Sequence, residues 1–305
     1  MMSDFTSNFW NLYIAIATVV ALVFTAWILL AAGKDKGKAS DTTHVWDGDL
    51  TELNHPLPNW WRWLFWVLLI FSAGYLIYYP GLGSFKGIGN WSSTGQFDKE
   101  MAALEAQTRP MYERFMAMGV EELAANRQAM GTAERIFQNT CARCHGSDAR
   151  GFIGFPNLRS GAWNWGGDPA DIEQSIAEGR TGIMLPMGDA LGGEPGIKAV
   201  VAYMRSLSGL DHEEGLMTQG EALFEENCVA CHGMDAKGMK DIGAPDLTDN
   251  VWVEGGTERA MMKIVEFGHN SDLADGDFAM PPHKGVLSKG QMYLLTAYVW
   301  GLTSK

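Results

Sequence analysis

The sequence predicts an all-α protein, in which an N-terminal hairpin of two transmembrane helices precedes two tandem, similar helical domains. Three observations support this prediction. Residues 1–80 are strongly apolar, whereas the rest of the 305-residue chain is polar and acidic. A segment near the middle of the chain recurs 87 residues later. The chain length suits about two domains of ordinary size in addition to an anchor.

Two segments are long and apolar enough to cross a membrane as helices. Residues 9–32 carry no charge, and residues 60–79 carry one charge, Arg62, near their start. About 20 apolar residues span the hydrocarbon core, and aromatic residues at the segment ends match an interfacial belt. A cleaved signal peptide is the alternative for the first segment. Its apolar core is too long, no basic residue precedes it, and a second span follows.

Basic residues indicate the orientation of this hairpin. Lys34, Lys36 and Lys38 lie between the two spans, Arg62 lies at the far edge, and the tail before the first span has no basic residue. Because basic loops stay in the cytoplasm, loop 33–59 is predicted to be cytoplasmic. The N-terminus and both later domains are then periplasmic, on a multi-pass protein of the bacterial inner membrane.

The repeat and the composition predict four regions. Residues 1–90 form the membrane anchor, and residues 91–127 form a helical connector in which Pro110 begins a new helix or kinks an existing one. Residues 128–210 and 211–305 form the first and second helical domains, each with a motif near its start and a closing helix at its end. A match that keeps this order over such a length indicates internal duplication.

The charge balance limits the partners. The chain has 23 basic and 36 acidic residues, a net charge of -13, and residues 91–305 hold 18 of the basic and 30 of the acidic ones. This surplus argues against nucleic acid or an anionic membrane surface and favours a basic protein partner. The alternative is that the acidic surface only keeps the domains soluble.

The repeated segment contains every cysteine of the chain, in "CARCHGSDARG" and "CVACHGMDAKG". The two C-x-x-C-H units consist of Cys141, Cys144 and His145, then Cys228, Cys231 and His232. This spacing is typical of c-type haem attachment, in which two thiols bond the haem covalently and the histidine binds its iron. Two covalently bound haem c groups are therefore predicted.

Two other uses of such cysteines fit less well. A structural zinc ion needs four ligands, and each unit offers three without a fourth at the usual spacing. A thioredoxin-like dithiol needs no following histidine, and its βαβ pattern is missing from the sequence.

Methionines after each unit are candidates for the second axial ligand. Met280 precedes two prolines in "AMPPHKG", and "GIMLPMG" offers Met184 or Met187. The pattern M-x-P matches Met184 to Met280, which favours Met184 over Met187. Methionine ligation raises the haem potential relative to two histidines.

The pairing of methionines with histidines has two solutions. Ligation within each domain, Met184 with His145 and Met280 with His232, is the simpler prediction. Crossed ligation between the domains stays open. In either case the iron has no free coordination site, which argues for electron transfer rather than oxygen or peroxide chemistry. No catalytic residue is predicted.

Two further segments are more specific to one protein family than the C-x-x-C-H units. "DLTELNHPLPNWW" (49–61) precedes the second span and "YYPGLGSF" (78–85) follows it. Together with the anchor and the two motifs, they make almost the whole chain resemble the dihaem subunit III of cbb(3)-type cytochrome c oxidases, the CcoP or FixP family. In that family the M-x-x-x-G spacing of "MLPMG" follows the first haem, which supports Met184.

The resemblance implies two tandem cytochrome c domains and a role in electron transfer. Electrons from a soluble or membrane-bound donor cytochrome c would pass through both haems to a monohaem cytochrome c subunit. They would then reach the catalytic haem–copper subunit, which reduces O₂ and pumps protons. This chain lacks the membrane histidines that bind copper and haem b, so it is not the oxygen-reducing subunit. A free-standing, membrane-tethered dihaem shuttle and a dihaem peroxidase-like enzyme are the alternatives.

Overall fold

The computed structural model describes residues 8–32, 40–54, 57–270 and 279–303, and the chain divides into two compact units, Met1–Gln107 and Thr108–Lys305. The helices are α1 Asn8–Ala32, α2 Asn59–Tyr78, α3 Ser93–Met116, α4 Val120–Ala125, α5 Arg127–Thr140, α6 Ala142–His145, α7 Pro169–Glu178, α8 Glu194–Leu207, α9 Met217–Asn227, α10 Val229–His232, α11 Glu258–Phe267 and α12 Lys289–Trp300. A 3₁₀ turn, Glu214–Leu216, precedes α9. The structure is mostly helical, as predicted.

The helices α1 and α2 account for the two apolar segments. Both are long and apolar enough to cross a membrane, and their apolar side chains point outward: Val23 is 64% exposed and Ile70 69%. The two helices contact each other. The backbone N–H of Ser84, just after α2, donates to the Oδ1 of Asn11 near the start of α1. The beginning of α1 therefore lies beside the end of α2.

A β-hairpin between α1 and α2 corrects the all-α prediction. Strands β1 Ser40–Trp46 and β2 Leu50–Asn54 are antiparallel, with Trp46 opposite Leu50. Asp47 and Gly48 form the turn with φ of 48° and 88°, in the left-handed region that this turn requires. An Asp-Gly pair between β-prone residues is a hairpin signal, and the composition-based prediction passed over it.

The connector decides one of the two alternatives predicted for Pro110. Helix α3 contains this proline and does not end there, so no new helix begins at Pro110, and a kink at this position stays a prediction. Its last turn is buried, since Phe115 is 1% exposed. Phe115 packs with Leu123 of α4 and with Leu294 and Ala297 of α12. The C-terminal end of α3 is thus fixed against the last helix of the chain.

Two further hydrophobic cores of the second unit lie beside the motifs, and each joins distant parts of the sequence. The first contains Phe137 of α5, Ile176 of α7 and Leu295 of α12. The second contains Val200 of α8 and Phe224 of α9, together with residues of α11. Helix α12 therefore closes the core of the first motif, and α8 closes that of the second.

Aromatic pairs mark this exchange of closing helices. Tyr298 of α12 packs on Phe137, just before the first motif, with ring centroids 5.3 Å apart. Tyr203 of α8 packs on Phe224, just before the second motif, at 5.4 Å. The packing groups the helices across the sequence boundary at residue 210, because α8 and α12 each lie on the motif helix of the other half.

Candidate haem-binding sites

Each C-x-x-C-H unit forms a single helical turn at the end of a longer helix. Cys141 follows α5, and the His145 N–H donates to the Cys141 carbonyl at 3.0 Å. Cys228 follows α9, and the His232 N–H donates to the Cys228 carbonyl at 2.9 Å. One turn brings two thiols and an imidazole together, which is the arrangement that c-type haem attachment needs.

A backbone carbonyl orients each motif histidine. The Nδ1 of His145 lies 3.1 Å from the carbonyl oxygen of Pro156, and the Nδ1 of His232 lies 3.3 Å from that of Pro245. A hydrogen bond from Nδ1 leaves Nε2 available for a metal. Burial lowers the pKa of both imidazoles. The neutral imidazole that an iron ligand requires is therefore favoured.

The first cysteine of each motif is held as a thiol. Burial, and then the neighbouring Cys144, raises the pKa of Cys141 to about 11. Burial, and then Cys231, raises the pKa of Cys228 to about 11. A redox dithiol needs the opposite shift, because the thiolate is its nucleophile. The electrostatics therefore argue against the thioredoxin-like alternative.

Each methionine loop packs beside the motif of the other sequence repeat. Met280 and Cys141 both pack against the first core. Met184, Met187 and Cys228 all pack against the second core. The structure thus brings each predicted methionine close to the motif of the other sequence repeat.

A pair of short antiparallel bridges holds these loops. Met280 and Arg180 exchange backbone hydrogen bonds of 2.8 and 2.9 Å, and Met184 and His269 exchange two of 2.9 Å. Arg180 follows the C-terminal glycine of α7, and His269 follows that of α11. The two bridges are equivalent, which relates Met184 to Met280.

Glycine allows this close approach in both halves. A Cβ on Gly179 would lie 2.3 Å from the Met280 carbonyl oxygen, and a Cβ on Gly268 would lie 2.4 Å from that of Met184. Both glycines have positive φ, 72° and 78°, which side-chain-bearing residues rarely adopt. The backbone at both bridges therefore requires glycine.

The same equivalence separates Met184 from Met187. The N–H of Met187 donates to the Val265 carbonyl at 3.0 Å, and the N–H of His283 donates to the Ile176 carbonyl at 3.1 Å. Met187 therefore occupies the position that His283 has in the other loop. Met184 alone corresponds to Met280.

One buried polar atom at the first site fits a haem. Among the described residues, Nδ1 of His283 is buried and has no hydrogen-bond partner. His283 is close enough to His145 to lower its pKa. A buried polar atom without a partner is costly. The carboxylates of a haem propionate offer such a partner, so His145, Met280 and His283 are complementary to this group.

The motif alignment missed the residues that flank the methionine loops. Beyond the motifs the repeat offset grows from 87 to 89 residues, which pairs Gly179-Arg180 with Gly268-His269. Extending the alignment past the motif would have found them. The exchange of α8 and α12 has no signal in the repeat, because both helices match equally well in either arrangement.

The helical fold and the covalent-attachment motifs define a membrane-anchored c-type cytochrome. Two family models match the chain: the N-terminal domain of cytochrome oxidase-cbb3, FixP, over residues 38–86, and cytochrome c oxidase, cbb3-type, subunit III, over residues 128–204 and 215–299. The chain belongs to the subunit III family of cbb3-type cytochrome c oxidases.

Curated relatives agree over most of their length. The cbb3-type cytochrome c oxidase subunit CcoP of Rubrivivax gelatinosus is 44% identical over 99% of this chain and 97% of its own. The subunit FixP of Sinorhizobium medicae is 39% identical over 72% and 82%, and the CcoP of Cereibacter sphaeroides is 31% identical over 87% and 95%. The chain is an electron-transfer subunit of such an oxidase, carries covalently bound haem c and forms a complex with other oxidase subunits.

Proposed function

We propose that this chain holds two haem c groups and conducts electrons through both of them. A donor cytochrome c supplies the electrons. The monohaem cytochrome c subunit and then the catalytic haem–copper subunit receive them for O₂ reduction coupled to proton pumping. The observation that supports this proposal is the pair of equivalent sites, each with two cysteines, an oriented histidine and a methionine loop.

The ligands are assigned by packing rather than by sequence order. The first haem is bound by Cys141 and Cys144, with His145 and Met280 as axial ligands. The second is bound by Cys228 and Cys231, with His232 and Met184. The sequence favoured ligation within each repeat, but the packing supports the crossed assignment, since the cysteine of one repeat and the methionine of the other pack against the same core.

The protein would supply the axial ligands of each haem and set its reduction potential. A bound haem c cycles between ferric and ferrous iron. The Pro156 and Pro245 carbonyls hold the histidine rings through Nδ1, which leaves each Nε2 available to ligate a haem iron. The glycine-dependent bridges hold the methionine loops. With both axial positions filled, the site transfers electrons and offers no position for O₂.

The anchor is proposed to place the haem sites in the bacterial periplasm. Helices α1 and α2 would span the inner membrane, with loop 33–59 on the cytoplasmic side and the N-terminus outside. The lysines on which this orientation depends, Lys34, Lys36 and Lys38, lie outside the described residues. A cysteine introduced at exposed Ser92 should react with an impermeant maleimide in intact spheroplasts, whereas one at Asp47 should react only after lysis.

The donor is proposed to be basic around its haem edge. The acidic surplus of residues 91–305 would attract such a protein. Oxidase turnover with the donor should fall as the salt concentration rises, because screening weakens attraction between exposed charges. Turnover that does not depend on ionic strength would assign the acidity to solubility alone.

A reduced pyridine haemochrome spectrum of the tagged, detergent-extracted chain tests the overall proposal. Haem c accompanied by haem b is expected, because the larger oxidase subunits should co-purify. Haem c alone, at two per chain, would favour the free-standing shuttle. One haem per chain would contradict the proposal. In the intact complex, Cys141→Ser and Cys228→Ser should each abolish turnover.

The crossed ligation is tested in two single-haem backgrounds. Replacing Cys228 and Cys231 by serine leaves only the first haem, and Met280→Leu should then remove the methionine-to-iron charge-transfer band, whereas Met184→Leu should not. In the background that keeps the second haem, the two effects should be exchanged. The reverse pattern would establish ligation within each repeat. Met187→Leu is the control and should preserve the band in both backgrounds.

A further inference from the structure

The two haem sites share a backbone but differ in the charges beside their methionine loops. With the offset of 89 residues, Arg180 corresponds to His269 and Trp165 corresponds to Glu254. Arg180 and His269 form the bridges to the methionine loops. The side chains at these matched positions therefore differ where the polypeptide touches the distal ligand loops.

The cation of the first half contacts three neutral side chains. The Arg180 guanidinium lies 4.8 Å from the centroid of the Trp165 ring. Its Nε donates to the Ser175 hydroxyl at 2.9 Å, and its Nη2 donates to the side-chain oxygen Oε1 of Gln174 at 3.1 Å. Ser175 and Gln174 belong to α7, which contributes Ile176 to the first core. Both hydrogen bonds therefore hold the Arg180 side chain on the helix that packs into the first core.

The matched pair of the second half contains a carboxylate. The Nδ1 of His269 lies 3.6 Å from the Oε1 of Glu254, and both side chains are 24% exposed. Glu254 precedes α11 and His269 follows it, and α11 contributes Val265 to the second core. Because Glu254 supplies a carboxylate, this pair is less positive than Arg180 with its neutral partners.

Two ion pairs involve carboxylates of α7, and their charges cancel. Lys284 contacts Glu178 at 2.6 Å, and Lys240 contacts Asp171 at 3.4 Å. His283 in the Met280 loop occupies the position of the apolar Met187 in the other loop. This exchange adds a potential hydrogen-bond donor to the first site only. At the positions next to the bridges, the first site is therefore the more positive of the two.

We propose that the first haem has a higher reduction potential than the second haem. This inference rests on the ligand assignment of the proposed function. Ferric iron carries one more positive charge than ferrous iron, so a nearby cation favours the ferrous state and a nearby carboxylate favours the ferric state. Arg180 raises the potential of the first haem, and Glu254 lowers that of the second.

The internal step would move one electron and would form or break no bond, since the ferrous second haem would be oxidised as the ferric first haem is reduced. A ferrous donor cytochrome would supply the electrons to this pair, and the next haem of the oxidase, in the ferric state, would accept them.

A redox titration of the full dihaem chain, followed optically in detergent, tests this order. Two components are expected. Met280→His should lower the higher component, because two histidine ligands give a lower potential than histidine and methionine, and this identifies the first haem. Arg180→Gln should lower the same component, and Glu254→Gln should raise the other. Combining Arg180→Gln with Glu254→Gln should narrow the separation between the two reduction potentials.

Matched controls separate charge from structure. Arg180→Lys should retain most of the potential that Arg180→Gln loses. Lys284→Gln, which removes an exposed and paired cation, should shift neither component. If Met280→His lowers the lower component, or if Arg180→Gln and Glu254→Gln leave both potentials unchanged, the proposed order is wrong. The methionine charge-transfer band should persist in the Arg180 and Glu254 variants, so this failure would leave the dihaem assignment intact.

Discussion

The two haem sites share one backbone plan and differ in the side chains placed on it. Both have a motif turn fixed by a carbonyl, a glycine at the end of the following helix and a bridge to the methionine loop. The positions next to the bridges carry Arg180 in one half and His269 with Glu254 in the other. The backbone around the proposed iron ligands is therefore the same at both sites, whereas the charged side chains that we propose to set the haem potentials differ.

The largest expected effect comes from ending the chain at residue 210. This removes Met280 and α12, whose Leu294 and Leu295 are fully buried. Each such leucine contributes about 2–5 kcal/mol, and together they approach the total stability of a domain, about 5–15 kcal/mol. The fragment should show no methionine-ligated haem and should be digested rapidly by protease.

The control for this truncation is the full chain with Cys228 and Cys231 replaced by serine, which keeps α12. It should retain a folded first site. A fragment that shows a methionine-ligated haem and resists protease would mean that the first repeat folds alone.

Leu295→Ala should destabilise the first haem site although it lies after the second motif. Leu295 is completely buried in the first core, and a leucine-to-alanine change at such a site costs about 2–5 kcal/mol. Denaturant unfolding in the two single-haem backgrounds measures this loss. Its counterpart, Val200→Ala, should act on the second haem site. Effects on the opposite haems would contradict the observed packing.

Gly268→Ala should loosen the second methionine loop and leave the first unchanged. The new Cβ would fall 2.4 Å from the Met184 carbonyl oxygen at a φ of 78°. Strained backbone of this kind costs about 1–3 kcal/mol. The methionine charge-transfer band of the second haem should weaken, and Gly179→Ala should weaken that of the first. If either variant weakened the methionine charge-transfer band equally at both haems, the two methionine loops would not be independent of each other.

Lys284→Ala should have little effect. Among the described residues, the ion pair between Lys284 and Glu178 lies at the first haem site and has no counterpart at the second. The side chain of Lys284 is 59% exposed and that of Glu178 is 52% exposed. Exposed pairs contribute about 0–1 kcal/mol. The midpoint of thermal unfolding should therefore change by a few degrees at most. A large decrease would mean that this contact anchors the methionine loop.

In the haem-free chain, the thiols of Cys141 and Cys228 should react with the same dependence on pH. Burial raises the pKa of both Cys141 and Cys228 to about 11, so each thiol stays protonated below that pH. Alkylation of either cysteine in the unloaded chain should increase about tenfold per pH unit between pH 8 and pH 10, because only the thiolate reacts. Mass spectrometry of single-cysteine variants measures both rates. A rate that is already constant at pH 8 would contradict this shift.

The local sequence was sufficient for elements whose physical cause is local. The apolar lengths of α1 and α2 and the one-turn geometry of each C-x-x-C-H unit follow from neighbouring residues. The Asp47-Gly48 turn was also readable, although it was missed. Pro110 left two alternatives open in the sequence, and the helix continues through it because Phe115 packs on other helices.

The sequence by itself determined the family, and it predicted the haem attachment residues with Met280 and Met184 as the candidate axial ligands. The motif beside which each methionine packs was decided by the tertiary structure alone. The two closing helices present similar apolar faces and the same Ala-Tyr pair, so the repeat fits either arrangement. Only the packing of Tyr298 on Phe137 and of Tyr203 on Phe224 distinguishes them. Long-range contacts between equivalent surfaces have no signature in a local pattern, because the pattern is identical on both sides of the exchange.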